Sequence, residues 1–105
     1  MSGDWLDVAP VAAVDATTPL VVDVDGVAVL IARCGAEYFA VEDRCTHDGS
    51  SFDGAPAEDC ELVCPRHGAR FCLRTGAALS PPAYEPLRTY RVRVADGRLL
   101  VERPA

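Results

Sequence analysis

Two cysteines and two histidines form the pattern in this sequence that is best suited to chemistry. The segment VCPRHGARF places Cys64 and His67 three positions apart. Upstream, RCTHDGS places Cys45 and His47 two positions apart, and these segments contain both histidines of the chain. Thiolates and neutral imidazoles are ligands of transition metals, so the pattern C-x-H-x16-C-x2-H predicts a metal centre held by two loops.

The distribution of the ligands over the two loops separates two kinds of metal centre. A structural zinc ion accepts two Cys and two His, but its usual hairpin pairs Cys with Cys and His with His. Here each loop supplies one of each, which suits a two-iron cluster with both thiolates on one iron and both imidazoles on the other. The pattern therefore favours such a cluster. A zinc module for protein binding is the alternative, and it would lack visible absorption.

With these residues in place, the chain resembles a Rieske [2Fe–2S] ferredoxin, through the motifs CTHDGS and CPRHGARF and the later Thr75-Gly76 and Pro81-Pro82 turns. The resemblance covers essentially the whole length. It implies one Rieske-type [2Fe–2S] cluster per chain and an all-β, Rieske-type fold of short antiparallel strands. It also implies a single Rieske domain over residues 1–105, with residues 44–82 as an inserted cluster-binding subdomain.

The same resemblance assigns the ligands. It implies that Cys45 and Cys64 bind the first iron, while His47 and His67 bind the second through Nδ1. In that family the imidazole edges face solvent and provide the route for the electron.

Glycine and proline residues suit loops that wrap such a cluster. Backbone N–H groups must approach the cluster sulfides closely, and Gly49 and Gly68 permit this without a side-chain clash. Pro65 fixes the backbone between two ligands of the second loop. We expect Pro81-Pro82 to form a third loop that covers the cluster.

The residues around the ligands indicate which Rieske subclass the chain resembles. Respiratory Rieske proteins carry a disulfide between cysteines at positions equivalent to Ser50 and Arg66, together with a membrane-anchoring helix. The large subunits of Rieske oxygenases bind a further iron through two His and a carboxylate, and no histidine is left here to do so. The chain most resembles the small ferredoxins that feed such oxygenases.

This resemblance implies a one-electron carrier and not an enzyme. The partners would be an NAD(P)H-dependent flavin ferredoxin reductase and a Rieske non-haem iron oxygenase. An alternative keeps the cluster but changes the role, to a Rieske module that serves iron–sulfur cluster assembly or to a reductase small subunit. Gene neighbourhood would separate the two roles.

Short strands must position the two loops. Valine-rich runs with a period of two, separated by Asp-Gly and other turn signals, predict an antiparallel scaffold. The predicted strands are 4–8, 20–24, 27–33, 38–42, 61–63, 70–73, 89–94 and 99–102. Residues 44–82 contain only short strand candidates, so we expect the metal centre, and not an apolar core, to order them.

Composition bounds the function further. A chain of 105 residues with 50% hydrophobic content is long enough for one domain. A net charge of −6 and a pI near 4.7 disfavour nucleic acid or an anionic membrane as partner. The absence of lysine excludes Schiff-base chemistry. With no signal peptide and no run of ~20 apolar residues, a cytoplasmic monomer is expected.

The charge is uneven along the chain. Residues 1–61 have 13 acids against 2 arginines, or −11, and residues 62–105 have 3 acids against 8 arginines, or +5. We expect folding to mix these halves. Arg66 and Arg70, which flank the second ligand loop, are either solvated or paired with Asp48 or Asp53.

Four side chains outside the ligand set have specific expectations. Because an odd number of cysteines argues against a disulfide framework, Cys34, Cys60 and Cys72 are expected to be free thiols or small packing residues. Phe52 is expected to be an exposed aromatic residue that helps to dock a partner.

The second loop also predicts a low reduction potential. In respiratory Rieske proteins, hydroxyl groups two and four residues after the second histidine donate hydrogen bonds that favour the reduced cluster. Here Ala69 and Phe71 occupy those positions and have no hydroxyl. Asp48, next to His47, adds a negative charge that opposes reduction. The potential is therefore expected near the low end of the Rieske range, ~−150 mV.

Overall fold

The computed structural model of the chain describes residues 4–15, 18–46, 49, 51–52, 55, 57–65, 68–81 and 83–103. Within these residues, ten strands form three antiparallel sheets, and a single 3-10 turn covers Val11–Ala13. The all-β prediction is confirmed. The strands are β1 (Trp5–Pro10), β2 (Leu20–Val24), β3 (Val27–Cys34), β4 (Glu37–Glu42), β5 (Ala57–Glu58), β6 (Glu61–Val63), β7 (Arg70–Cys72), β8 (Thr89–Tyr90), β9 (Val92–Ala95) and β10 (Arg98–Glu102).

The central strand β3 is buried on both faces. It lies in a four-stranded sheet of order β2-β3-β4-β8. Alternate side chains of a strand point to opposite faces, so Val29 and Ile31 pack on one side, while Leu30 and Ala32 pack on the other. This explains why the sequence of β3 is a continuous apolar run.

Each face of this sheet covers a separate core. The scaffold core joins it to the three-stranded sheet β1-β10-β9 and consists of Val14, Val24, Val29, Ile31, Ala40, Leu99 and Val101. The site core joins it to the predicted cluster region and consists of Leu30, Ala32, Val41, Cys45, Phe52, Ala55, Leu62, Cys64, Ala69, Phe71, Leu73, Ala83 and Leu87. The four-stranded sheet is therefore the middle layer of the molecule.

The site core contradicts one prediction. Residues 44–82 were expected to lack an apolar core, but Leu62, Phe71 and Leu73 are buried in the site core together with side chains of β3 and β4. The third sheet, β5-β6-β7, carries Leu62 and Phe71, and Leu73 directly follows its last strand. Hydrophobic packing therefore contributes to the order of this region before any metal is considered.

The predicted C-terminal strand over residues 89–94 is two strands. β8 pairs with β4 in the four-stranded sheet, whereas β9 pairs with β10 in another sheet. Arg91 lies between them, and its carbonyl oxygen accepts a hydrogen bond from the backbone N–H of Glu102 at 3.0 Å. A period of two fits both strands, so the alternation could not reveal where the chain changes sheets.

Folding mixes the two oppositely charged halves, as expected. Among the described residues, six of seven ion pairs join an arginine from residues 62–105 to an acid from residues 1–61. These pairs are Arg70–Glu58, Arg70–Glu61, Arg74–Glu37, Arg98–Asp7, Arg103–Asp4 and Arg103–Asp25.

In the part of the chain that the structure describes, no helix has the length and hydrophobicity needed to cross a membrane.

Candidate metal centre

Two of the four predicted ligands, Cys45 and Cys64, are buried in the site core. Their exposed fractions are 0% and 1%. Each stands at the start of a loop, since Cys45 follows β4 and Cys64 directly follows β6. The other two predicted ligands, His47 and His67, lie outside the described residues.

Both loops begin with the same turn. The backbone N–H of Gly49 donates to the carbonyl oxygen of Cys45 at 2.7 Å, and that of Gly68 donates to Cys64 at 2.9 Å. The two glycines have φ angles of +78° and +73°, a conformation in which other residues are strained. The backbone angle alone therefore explains why glycine occupies both positions, whether or not the backbone approaches a cluster sulfide. A shared Cys-x3-Gly spacing in the sequence could have predicted this repeated turn.

The second loop closes a β-hairpin. Strands β6 and β7 pair through Leu62 opposite Phe71 and Val63 opposite Arg70. The backbone N–H of Cys64 then donates to the carbonyl oxygen of Ala69 at 2.8 Å. The hairpin fixes both ends of the loop, so the position of Cys64 is set by strand pairing and by the burial of Leu62 and Phe71.

Asp43 anchors the first loop, a role that the sequence pattern does not indicate. Its carboxylate accepts a hydrogen bond from the backbone N–H of Phe52 at 2.6 Å and another from the Ser51 hydroxyl at 2.5 Å. These bonds join the two ends of the segment that contains Cys45. Asp43 has no characteristic spacing to its partners in the sequence, so only the structure could reveal this role.

A third segment, residues 79–88, is hydrogen-bonded to the first ligand loop and to the strand that follows the second. The Thr46 hydroxyl donates to the carbonyl oxygen of Glu85 at 2.7 Å, which ties this segment to the first loop. At its other end, the backbone N–H of Leu79 donates to the Arg70 carbonyl oxygen at 2.7 Å. This segment contains the predicted third loop. Pro81 is exposed, and Pro82 lies outside the described residues.

The prediction that Phe52 is an exposed docking residue is wrong. Phe52 is fully buried, and its ring packs edge-to-face against Phe71 with centroids 5.6 Å apart. The exposed aromatic residue in the neighbouring segment is Tyr84, which is 82% exposed. Tyr84 lies between the buried residues Ala83 and Leu87, so its backbone is held while its side chain is open to solvent.

Arg70 also has partners other than those expected. Its guanidinium pairs with Glu58 and Glu61, each at 3.2 Å. These carboxylates raise the pKa of Arg70, chiefly through the hydrogen bond to Glu58. The alternatives with Asp48 and Asp53 lie outside the described residues, as does Arg66.

The prediction of three free thiols holds for one cysteine only. Cys34 and Cys60 are joined as a disulfide, with Cα atoms 5.3 Å apart. Cys72 is a free thiol and is partly buried. A hydrogen bond from the Thr75 hydroxyl is the main cause that lowers the pKa of Cys72, and the Thr75 backbone N–H adds to it. The number of cysteines in the sequence could not predict this pair. The two residues are 26 positions apart and meet only because the fold brings two sheets together.

The donors that the structure does describe fit an iron–sulfur centre. Two buried cysteines offer soft ligands from two separate loops, and each ligand loop is fixed by backbone hydrogen bonds independent of any metal. No three His, Cys, Asp or Glu side chains converge within the described residues, a region that includes neither histidine.

Comparison with known proteins identifies the class. The family model for the Rieske [2Fe-2S] domain matches residues 4–91. The chain therefore belongs to the Rieske [2Fe–2S] domain family, and its cofactor is one Rieske-type cluster per chain. Among curated relatives, the 3-phenylpropionate/cinnamic acid dioxygenase ferredoxin subunit of Escherichia coli (strain K12) is 41% identical over 96 residues, which cover 90% of each chain.

Solved structures agree with this class. The ferredoxin of carbazole 1,9a-dioxygenase from Nocardioides aromaticivorans IC177 superposes with a TM-score of 0.91 at 31% identity, over 97% of this chain and 100% of that one. A chain in a complex of reduced oxygenase and oxidized ferredoxin in carbazole 1,9a-dioxygenase gives 0.86 at 30% identity, over 93% and 92%. The protein is a Rieske-type ferredoxin, an electron carrier and not an enzyme.

Proposed function

We propose that Cys45 and Cys64 bind one iron of the cluster, that His47 and His67 bind the other, and that the loaded protein delivers single electrons to a Rieske non-haem iron oxygenase. The electrons come from an NAD(P)H-dependent flavin ferredoxin reductase. The protein acts as a cytoplasmic monomer with one domain over residues 1–105, in which residues 44–82 form the cluster-binding part.

One observation carries the ligand assignment: Cys45 and Cys64 are both buried and both begin the same glycine-closed turn. In each turn, the histidine lies between the cysteine and the glycine, at the second position in one and the third in the other. The hydrogen bond closes a five-residue turn and keeps its cysteine and glycine ends close, and each histidine is within three positions of its cysteine in the sequence. The names of the relatives, which are dioxygenase ferredoxin subunits, support the oxygenase as the electron acceptor.

The bound cluster supplies a one-electron couple. Hydrogen bonds of the protein itself would hold the cysteine ligands in place. The β6–β7 hairpin fixes Cys64, and the Asp43 carboxylate fixes the segment that contains Cys45. Tyr84 offers an exposed aromatic surface in the segment that is hydrogen-bonded to the first loop, where a partner could bind briefly.

The ligand assignment is tested with serine variants. Wild-type protein should contain two irons and two sulfides per chain and give a Rieske-type EPR signal on reduction. Cys45→Ser and Cys64→Ser should lose the cluster, and Cys72→Ser, in the adjacent strand, should retain it. Because the site core is apolar, we expect circular dichroism to show strand content in the two cluster-free variants. A normal cluster in either variant would remove that cysteine from the ligand set.

The carrier role is tested separately with partner proteins. The reduced protein is mixed in a stopped-flow instrument with the oxygenase of the E. coli 3-phenylpropionate system, whose ferredoxin subunit is the 41% identical relative. Oxidation of the chain coupled to product formation supports the proposal. If a loaded, reducible protein is not oxidised by this oxygenase or by one encoded beside its gene, the oxygenase role is wrong even though the cluster assignment stands.

A further inference from the structure

The disulfide between Cys34 and Cys60 joins two different sheets. Cys34 is the last residue of β3, in the middle layer, and Cys60 lies in the turn between β5 and β6, in the sheet that carries the second ligand loop. The two residues are 26 positions apart in sequence. The bond therefore connects the scaffold to the cluster-binding sheet, and its two cysteines are at positions other than Ser50 and Arg66.

The backbone at Cys60 has a conformation that favours glycine over a residue with a side chain. Asp59 and Cys60 form a two-residue hairpin turn with φ angles of +52° and +62°. The other two-residue turns of this kind in the described residues, Asp25-Gly26 and Asp96-Gly97, place glycine at the second position. A residue with a side chain is strained in that conformation, and such strain is a feature of functional positions.

Noncovalent contacts line the same seam between the two sheets. Arg74, just after β7, forms a 2.8 Å ion pair with Glu37 of β4, and its guanidinium lies 5.1 Å from the centre of the Phe39 ring. Within the β5-β6-β7 part of the fold, the Cys60 carbonyl oxygen accepts a hydrogen bond from the backbone N–H of Leu73 at 3.0 Å, which holds Cys60 to the end of β7. The contacts of Arg74 are exposed and therefore individually weak. A covalent bond would dominate the attachment.

We propose that Cys34 and Cys60 are a reversible oxidation site whose disulfide clamps the β5-β6-β7 sheet to the middle layer and so slows loss of the cluster. Both cysteines are partly exposed and therefore within reach of small reagents. In a reducing compartment, such a bond opens and closes with the surrounding thiol pool. The proposal rests on the presence of the cluster, and not on which partner receives the electron.

The oxidant is a small disulfide of the glutathione class. The thiolate of one cysteine attacks the small disulfide, forms a mixed disulfide and releases one small thiol. The second cysteine thiolate then attacks the protein sulfur of the mixed disulfide, forms the Cys34–Cys60 bond and releases the second small thiol. Two protein thiols lose two electrons and two protons, and one small disulfide becomes two thiols. An excess of dithiol reverses both steps.

The site is tested on the loaded protein by counting thiols. Wild type is equilibrated with oxidised glutathione or with a dithiol, then denatured and alkylated without further reduction. Mass spectrometry should find three alkylated cysteines of the five after oxidation, because the disulfide removes two, and five after reduction. Five alkylated cysteines in both samples would overturn the proposal.

The clamp is tested by the rate at which a chelator bleaches the visible absorption of the cluster. Oxidised wild type should lose its cluster about tenfold more slowly than reduced wild type, Cys34→Ser or Cys60→Ser. The control Cys72→Ser, in the same sheet, should match wild type. Hydrogen exchange gives a second readout, because amides of residues 57–63 should exchange faster whenever the bond is absent. Equal bleaching and exchange in oxidised and reduced wild type would overturn the proposal.

A glycine variant separates the bond from the backbone strain. Cys60→Gly removes the disulfide but suits the positive φ angle, so its thermal midpoint should exceed that of Cys60→Ser. Its cluster should nevertheless bleach as fast as in Cys60→Ser. If Cys60→Gly keeps its cluster as long as oxidised wild type, turn geometry and not the covalent clamp controls cluster loss, and the proposal fails.

Discussion

Ala69 and Phe71 set the environment of the second ligand loop at the level of single residues. Both are fully buried, and neither carries a hydroxyl group. A hydrogen bond that strengthens by roughly 1 kcal/mol on reduction raises the potential by about 40 mV. We therefore predict that Ala69→Ser and Phe71→Tyr each raise the potential by tens of millivolts above a wild-type value of ~−150 mV.

Protein-film voltammetry measures this effect directly. Ala95→Ser, in the hairpin between β9 and β10, adds a hydroxyl outside both ligand loops and should leave the potential unchanged. A wild-type potential near the upper end of the Rieske range, or no upward shift in either test variant, would show that groups other than these missing hydroxyls control it.

Cys72 offers a second prediction for a single residue. Thr75 stabilises the thiolate by hydrogen bonds and so lowers the pKa of Cys72. Since the thiolate is the nucleophile, alkylation of Cys72 by iodoacetamide should begin at lower pH than for an ordinary thiol. Thr75→Ala removes the hydroxyl and should shift the pH profile of alkylation upward. Mass spectrometry at a series of pH values gives the profile, and identical profiles for the two proteins would contradict this role of Thr75.

The ligand assignment of Cys45, His47, Cys64 and His67 stays a prediction, and the structure describes only the two cysteines. Cys45 and Cys64 were selected by their spacing to histidine, and the structure buries both. Phe52 was misassigned because a loop has no periodicity from which burial can be inferred. The pairing of Cys34 with Cys60 depends on contact between two sheets, which the sequence does not encode locally.

At the scale of secondary structure elements, the first ligand loop depends on Asp43. Replacing Asp43 with Ala leaves the Phe52 N–H and the Ser51 hydroxyl without this acceptor, and should lower the free energy of unfolding by about 1–2 kcal/mol. The cluster should also be lost faster. Asp43→Asn keeps an oxygen acceptor and should have a smaller effect.

Urea unfolding of the loaded protein measures this change. Asp7→Ala removes an exposed carboxylate that pairs with Arg98, and it should cost less than 1 kcal/mol, as is usual for surface ion pairs. If Asp43→Ala and Asp7→Ala have equal effects on stability and on cluster loss, Asp43 does not anchor the loop.

Elements were predicted correctly where local chemistry decides them. The Asp25-Gly26 and Asp96-Gly97 turns identified two hairpins, and both have the positive φ angles that such turns require. The division of residues 89–94 between two sheets, and the two-residue strand β5, depend on pairing partners elsewhere in the chain. The site core was missed for the same reason, because its members are spaced irregularly along three loops and several short strands.

For the whole molecule, the net charge of −6 predicts how salt affects electron transfer. Reduced protein should react with cationic hexaammineruthenium(III) more slowly as salt increases, whereas its reaction with anionic ferricyanide should accelerate. The Debye length falls from ~30 Å at 0.01 M to ~3 Å at 1 M. The first value is comparable with the 38 Å long axis of the molecule, so the total charge acts on an approaching reagent at low salt.

Stopped-flow rates over this range of salt provide the test. If salt instead accelerates the reaction with hexaammineruthenium(III) and slows the reaction with ferricyanide, charges close to the cluster, and not the net charge, control the rate. The arginine-rich second half of the sequence would then be the region to neutralise next.

The pairing of β1 with β10 has a consequence for how quickly the protein folds. Trp5 lies opposite Glu102, and the backbone N–H of Arg103 donates to the carbonyl oxygen of Asp4 at 2.9 Å. Such a contact can form only after nearly the entire chain has been brought into a closed loop, and folds rich in distant contacts form slowly. Joining the two strands by a short linker and opening the chain at the Asp25-Gly26 turn would convert this contact into a local hairpin, so such a circular permutant should fold faster than the natural order of strands.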